Sequence, residues 1–165
     1  MATFKIRQPI LDDAEWITHA CQDTEIQRWT LVPRPYKREH ALGFIDNTIN
    51  EAHRWVIEQQ GTNEAVGVVG IHTIDLDTGD ANTGYWIAPW GRRRGAATYA
   101  LVLVEQFALT LPSIKFLSAH IAESNAASRA TASRAGFINM GSTPEPCPDG
   151  ESLVPALTYV KQLAR

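Results

Sequence analysis

Between residues 84 and 122 the chain passes from an apolar strand pattern through a long amphipathic helix into a second apolar strand pattern. Few folds accommodate that order. Two strands joined through a helix pair side by side in the same direction, and the crossover is right-handed, because a right-twisted strand packs its helix back onto the sheet only that way. The helix, about 94–110, repeats Ala97, Ala100, Leu101, Val104, Ala108 and Leu111 at three- and four-residue steps, a stripe that a sheet must cover. The second strand, IKFLSAHIA, occupies 114–122.

The flanking segments add antiparallel strands. TFKIRQ (3–8) alternates Phe4 and Ile6 with Lys5 and Arg7. Pro9 ends it, and Asp12 or Asp13 can cap a helix running to about Asp23, with Ala14, Ile17, Ala20 and Cys21 at helical spacing. TLVPRPY reads as a loop, and a helical segment over about 37–52 places Ala41, Phe44, Ile45 and Ile49 on one side. RWVIEQQ, EAVGVVGIHTI and ANTGYWIA are separated by the short polar turns Gly61-Thr62-Asn63 and DLDTGD, which predicts an antiparallel meander. Beyond the crossover a helix over about 126–135 stops at Gly136, FINMG reads as a strand, and VPALTYVKQL reads as the last one. The fold class is α/β with a mixed sheet, and 165 residues suit one domain.

Charge narrows the function. Lysine and arginine number 15 against 18 aspartates and glutamates, a net charge of −3, so no positive field gathers nucleic acid. Cys21 and Cys147 form no CxxC and read as reduced thiols of a cytoplasmic protein. The start, MATFKIRQPI, lacks the apolar core of a signal peptide. The most apolar stretch, 99–111, is broken by Glu105 and Gln106, so no membrane span is expected. His19, His40, His53, His72, His120 and the cysteines show no spacing that builds a metal site.

Against that acidic background, GRRRGAAT (91–98) places Arg92, Arg93 and Arg94 at the start of the crossover helix. A helix start already carries about half a positive charge, so cations are mildly unfavourable there. Gly91 and Gly95 permit backbone shapes closed to other residues, small Ala96 and Ala97 let a ligand come close, and unpaired N–H groups of a helix start cradle anions. A phosphate-binding loop follows, the alternative being a solvated basic corner beside a tight turn. The nucleotide patterns fail. A Walker loop needs Lys-Ser/Thr where Ala96-Ala97 stands, and a dinucleotide fingerprint needs G-x-G-x-x-G.

Arg92-x-x-Gly95-x-Ala97 resembles the acyl-CoA pyrophosphate loop, Q/R-x-x-G-x-G/A, of the GNAT superfamily of N-acetyltransferases. GYWIAP before it and ESNAASRATASRAGF after it extend the resemblance. There Asn125, Ser128 and Gly136-Phe137 fall at the spacing of the branch that acetylates ribosomal-protein N-termini. IRQPILDDAEWI is similar to that branch's first strand and helix.

The resemblance implies a single domain with a mixed, mostly antiparallel sheet of six to seven strands and about four flanking helices. Strands 80–88 and 114–122 would splay into a slot for acetyl-CoA. Pantetheine would pair with backbone around Ile87 and Ala88, and the diphosphate would sit on the N–H groups of 93–98, which include Arg93, Arg94, Gly95, Ala96, Ala97 and Thr98. Arg92, Arg93 and Arg94 would face the phosphates, and Asn125 would bond the pantetheine arm, its alternative being an ordinary helix cap.

The implied reaction acetylates a primary amine on a small molecule or a protein N-terminus. A backbone N–H near Ile87 would polarise the thioester carbonyl. Many relatives protonate the leaving thiolate with a tyrosine after the slot, but no tyrosine lies between 100 and 158. The comparable place here is near Ala132; Ser128, one turn after Asn125, instead stands where the ribosomal-protein branch uses a serine and would hydrogen-bond the thiolate, with simple packing as the alternative. The base is His72, Asp80 or water, a strand histidine also being a common packing residue. Trp29 could line the acceptor site, the segment about 24–52 in which such relatives vary. The resemblance admits a homodimer. A different class of function is an acyl-CoA-binding sensing or assembly module without turnover.

Overall fold

The computed structural model describes residues 1–165. In chain order its strands are β1 (Phe4–Arg7), β2 (His53–Gln59), β3 (Ala65–Asp75), β4 (Asp80–Ile87), β5 (Phe116–Ala122), β6 (Ile138–Asp149) and β7 (Ser152–Gln162). The helices are α1 (Ala14–Ala20), α2 (Thr24–Trp29), α3 (Arg38–Asp46), α4 (Ala96–Ala108) and α5 (Ala126–Arg134). One sheet runs β1-β2-β3-β4-β5-β7-β6. Every neighbouring pair is antiparallel except β4 and β5, the pair that the crossover helix α4 connects.

Two apolar clusters cover the two faces. On one face, Leu101 and Val104 of α4 pack with Ile57, Val69 and Leu117 of the sheet, all nearly inaccessible to water. Each such buried aliphatic side chain contributes roughly 1.5–3 kcal/mol. On the other face, α1, α2 and α3 bury Ile17, Cys21, Ile26, Tyr36 and Ala41. Successive side chains of β4 and of Ala88 directly after it divide between the two: Tyr85 and Ile87 pack with the first cluster, Trp86 and Ala88 with the second. No helix is long and apolar enough to cross a membrane.

Three departures from the sequence expectations have physical causes. The first helix does not reach Asp23. It ends at Ala20, and Asp23 instead caps α2 by accepting the Ile26 N–H at 3.0 Å. The helix expected over 37–52 stops at Asp46, because Asn47 turns left-handed (φ 59°) and Ile49 is left exposed. The strand expected as FINMG runs on to Asp149 through Pro144, Pro146 and Pro148. β6 is an edge strand, and prolines at alternate positions all lack an N–H on the same side, which an outer edge tolerates. The buried face of α4 also starts at Ala96 rather than Ala97.

A buried charge cluster ties β1 to its neighbours. Arg7 donates to both carboxylate oxygens of Asp13 (2.9 and 2.8 Å) and to Glu58 (2.6 Å), while Asp13 also accepts from the Ile10 N–H and Trp16 Nε1. Burial pushes both carboxyls up, but the bonds from Arg7, helped by Ile10 and Trp16 at Asp13 and by Lys5 at Glu58, outweigh it and leave both below their ordinary values. A depressed folded-state value contributes stability above the unfolded value that is lost as pH falls through the folded one. The melting temperature is therefore expected to drop as pH is lowered from about 5, where free carboxyls start to protonate. Asp13→Asn should flatten that limb in a melting series followed by circular dichroism.

Candidate active site

β4 and β5 pair only over residues 80–82 and 116–118. Ser118 seals the closed end: its hydroxyl donates to Asp80 (2.7 Å) and accepts from Asn82 (3.2 Å), and its carbonyl accepts from Thr83 Oγ1 (2.9 Å). Asp80, weighed as a base, is thereby engaged at the closed end of the fork. Beyond Thr83 the strands part. The Ala88 N–H bonds the Val66 carbonyl at 2.8 Å, and antiparallel pairing alternates, so the N–H and C=O of Tyr85 and Ile87 point away from β3 into the open fork. Of the two residues expected to offer backbone, Ile87 is open. Ala88 is not: it is fully buried, and its carbonyl accepts the Gly91 N–H.

The loop that enters α4 has the curvature of an anion cradle. Arg93 (φ 62°) and Gly95 (φ 76°) are both left-handed, and no N–H of residues 93–98 is hydrogen-bonded within the protein. Gly91 and Gly95 serve different ends. A Cβ at Gly91 would stand 2.6 Å from the Val66 side chain, so the loop passes hard against β3. A Cβ at Gly95 would meet nothing within 4 Å, so the space before the helix start is clear.

The arginines divide in a way the sequence did not disclose. Arg92 pairs with Asp23, whose carboxyl burial raises and Arg92 and the Ile26 N–H lower, to a net value below normal. Arg94 bonds Gln59 (2.7 Å), Glu64 (2.8 Å) and the Trp90 carbonyl. Only Arg93 has no partner in the protein. Arg92 lines the central cleft while bonded to Asp23, and Arg94, tied to Glu64, lies outside that cleft. Arg134, at the end of α5, lines the same cleft and also has no hydrogen-bond partner; the sequence reading missed it.

One cleft of about 1260 Å³ joins these features. It brings together Arg92, Arg93, Gly95, Ala96, Ala97 and Thr98 of the loop, Ile87 of the fork, Asn125 and Ser128 of α5, and His72. Asn125 caps α5, its Oδ1 accepting the Ser128 N–H at 3.2 Å, which leaves its amide N–H₂ available. Ser128 Oγ stands 2.9 Å from Tyr85 Oη. Thus a tyrosine does reach the slot, carried by β4 instead of the following helix; the alternation of GYWI along a strand was the available signal.

His72 lies on the opposite face of β4. It is the extra residue of a bulge in β3, between Ile71 and Thr73. Its Nδ1 is 2.6 Å from Glu51 Oε2. Asn47 clamps both backbone groups of Glu51 (2.9 and 3.0 Å), which fixes the backbone that carries the carboxylate. With the proton of the imidazole on Nδ1, the lone pair is on Nε2, and a Cβ at Gly84 would be 2.3 Å from that nitrogen. Absence of a side chain at Gly84 therefore lets the imidazole lie over the middle of β4. Glu51 was missed because nothing local links it to His72.

α2, α3 and β6 also wall the cleft, through Trp29, Phe44 and Cys147 respectively. The tip of the β6–β7 hairpin is clasped to α2: Arg28 Nε donates to Asp149 (2.7 Å), and the Gly150 N–H donates to the Arg28 carbonyl (2.8 Å).

A forked parallel pair with an anion cradle at the mouth of its crossover helix defines an acyl-CoA-dependent transferase. Residues 4–138 match the acetyltransferase (GNAT) domain family, and the chain belongs to that family, whose members acetylate amines from acetyl-CoA. YoaA of Bacillus subtilis (strain 168), described as an uncharacterized N-acetyltransferase, is 26% identical over 141 residues, covering 82% of this chain and 80% of YoaA. RimL, a ribosomal alpha-N-protein acetyltransferase solved with coenzyme A, superposes with a TM-score of 0.82 at 17% identity, over 98% of this chain and 94% of RimL. The spermidine N-acetyltransferase of Vibrio cholerae, solved with CoA and spermine, gives 0.80 at 17% identity, over 98% of this chain and 96% of that one. Folds this alike serve a protein terminus in one case and a polyamine in the other.

Proposed function

We propose that this enzyme carries acetyl from acetyl-CoA to a primary amine, borne by a small molecule or a protein N-terminus, that enters from the side of α1–α3. The observation that carries the reading is the continuity of the cleft from the open amides of 93–98, through the fork, to the Glu51–His72 pair. In this reading the diphosphate rests on the amides of 93–98 with Arg93 beside it, and Asn125 bonds the pantetheine arm. The Ile87 N–H polarises the thioester carbonyl. His72, held by Glu51, takes the amine proton, and Ser128 hydrogen-bonds the leaving sulfur on the opposite face. The two free cysteines suit a cytoplasmic setting.

The test measures CoA thiol release from acetyl-CoA with a polyamine, an aminoglycoside, a free amino acid and a hexapeptide with a free N-terminus. Release with one of the four names the acceptor class. CoA binding without release from any would make the protein a binding module instead. Within the loop, Arg93→Gln is expected to weaken CoA binding about threefold to tenfold and to reduce its salt dependence, since a phosphate loses a charged donor. Arg94→Gln should leave affinity nearly unchanged, because its partners are Glu64 and Gln59. Calorimetry at two salt concentrations checks both.

A further inference from the structure

Hydroxyls on helices commonly spend their proton on the carbonyl one turn back. This chain does so at Thr18 of α1, which donates to the Ala14 carbonyl (2.7 Å), and at Thr30, the residue that caps the end of α2, which donates to the Ile26 carbonyl (2.6 Å). Ser128, in the first turn of α5, makes no such bond. The partner of its hydroxyl is Tyr85 Oη at 2.9 Å, reaching across from β4. A serine hydroxyl has one proton and two lone pairs, so what it offers to a third group depends on which way this bond runs. If the phenol donates, the serine's only proton is left free for the cleft. If the serine donates, its proton is spent. A phenol is the better donor of the two. Tyr85 is partly buried against the sheet core at the cleft wall, and burial pushes its phenol above the ordinary value although hydroxyls of Ser128 and Thr131 oppose this, so it keeps its proton.

We infer that Tyr85 is a positioning residue of the acetyl transfer: by donating to Ser128 it turns the serine's single proton toward the sulfur of the leaving thiolate. The inference rests on the acetyl-transfer reading of the cleft and assigns within it a residue that reading does not use. In the step, the amine nitrogen bonds the acetyl carbon and its proton passes to His72. The C–S bond breaks with its electron pair going to sulfur, where the Ser128 hydroxyl stabilises the charge, and the thiolate takes its proton from solvent on release. Neither hydroxyl is consumed. A chain of two hydroxyls polarises each member, so the terminal donor is stronger than an isolated serine.

The experiment measures single-turnover acetyl transfer from acetyl-CoA to the accepting amine of the four. Ser128→Ala is expected to slow it about tenfold to a hundredfold, the scale of one charge-assisted hydrogen bond. Tyr85→Phe, which keeps the ring and its packing, should slow it about threefold to tenfold through loss of orientation and polarisation. In the Ser128→Ala background Tyr85→Phe should cost nothing more, since the proton it aims is gone. The second readout replaces acetyl-CoA with the acetyl thioester of thionitrobenzoate, whose acidic thiol leaves unaided. There Tyr85→Phe should match the wild type, whereas a variant damaged only in packing would lose rate on both donors. CoA affinity by calorimetry should be the same in Tyr85→Phe and wild type. Equal loss on both donors, additive losses in the double variant, or no loss with acetyl-CoA overturns the role of Tyr85 alone. A mild Ser128→Ala with a severe Tyr85→Phe would show the bond running the other way. A wild type that binds CoA and acetylates none of the four amines overturns the acetyl-transfer reading as well.

Discussion

Gly95→Glu should yield a folded protein that no longer holds coenzyme A. Gly95 lies at φ 76°, and a Cβ built there points into open space before the start of α4. A glutamate side chain would project into that space and bring a negative charge to the N–H groups of 93–98, which have no other partner. It would compete with the diphosphate for the same donors and repel it. The left-handed backbone adds a cost of about 1–2 kcal/mol for a residue with a Cβ, a modest loss of stability. The affinity loss should be far larger, more than about a hundredfold, because a phosphate loses several charge-assisted bonds at once, each worth about 1.5–3 kcal/mol. Gly91→Ala is the contrasting variant. Its methyl would press into Val66 at 2.6 Å, so it should lower the melting temperature. Calorimetric CoA titration together with thermal melting separates the two. Undiminished affinity in Gly95→Glu would remove the diphosphate from this loop.

The parallel fork was legible in the sequence because one strand–helix–strand run admits a single handed solution. The loop at its mouth was legible because glycine and alanine at fixed offsets leave backbone N–H groups exposed. What stayed hidden is long-range. Arg92 and Arg94 look alike along the chain as ligand-facing charges, yet Asp23 and Glu64 claim them, and no local pattern reports a partner thirty or more positions away. A tyrosine was expected only on the helix after the slot, whereas the fork lets Tyr85 of β4 reach Ser128 in the cleft. The extension of β6 was hidden by three prolines, which forbid an interior strand but not an outer edge. Glu51 fell inside an expected helix until Asn47 ended it, and that early stop frees the carboxylate to turn toward His72.

Removal of that imidazole carries the second large effect. General base catalysis contributes about 10²–10⁴-fold, so His72→Ala should cut the single-turnover rate by that order while CoA binding is retained. The two effects separate because His72 lies over Gly84 on the face of α1–α3, away from the loop at 93–98. Small-molecule imidazole added to His72→Ala should restore part of the rate, as the cleft has room where the side chain was. Glu51→Gln tests the orientation. A carboxylate beside Nδ1 can only accept, which keeps the ring proton there and the lone pair on Nε2. An amide can turn its N–H₂ toward Nδ1, moving the proton to Nε2 and blocking the base, as happens in serine protease triads when the aspartate is made asparagine. The expected loss is about tenfold or more, with no rescue by imidazole, because the blocked ring still fills the site. Asp80→Asn should keep the full rate, since Asp80 bonds Ser118 at the closed end of the fork. If instead His72→Ala turns over at the wild-type rate, the amine arrives deprotonated or loses its proton to water, and the Glu51–His72 pair shapes the acceptor pocket without taking part in the chemistry.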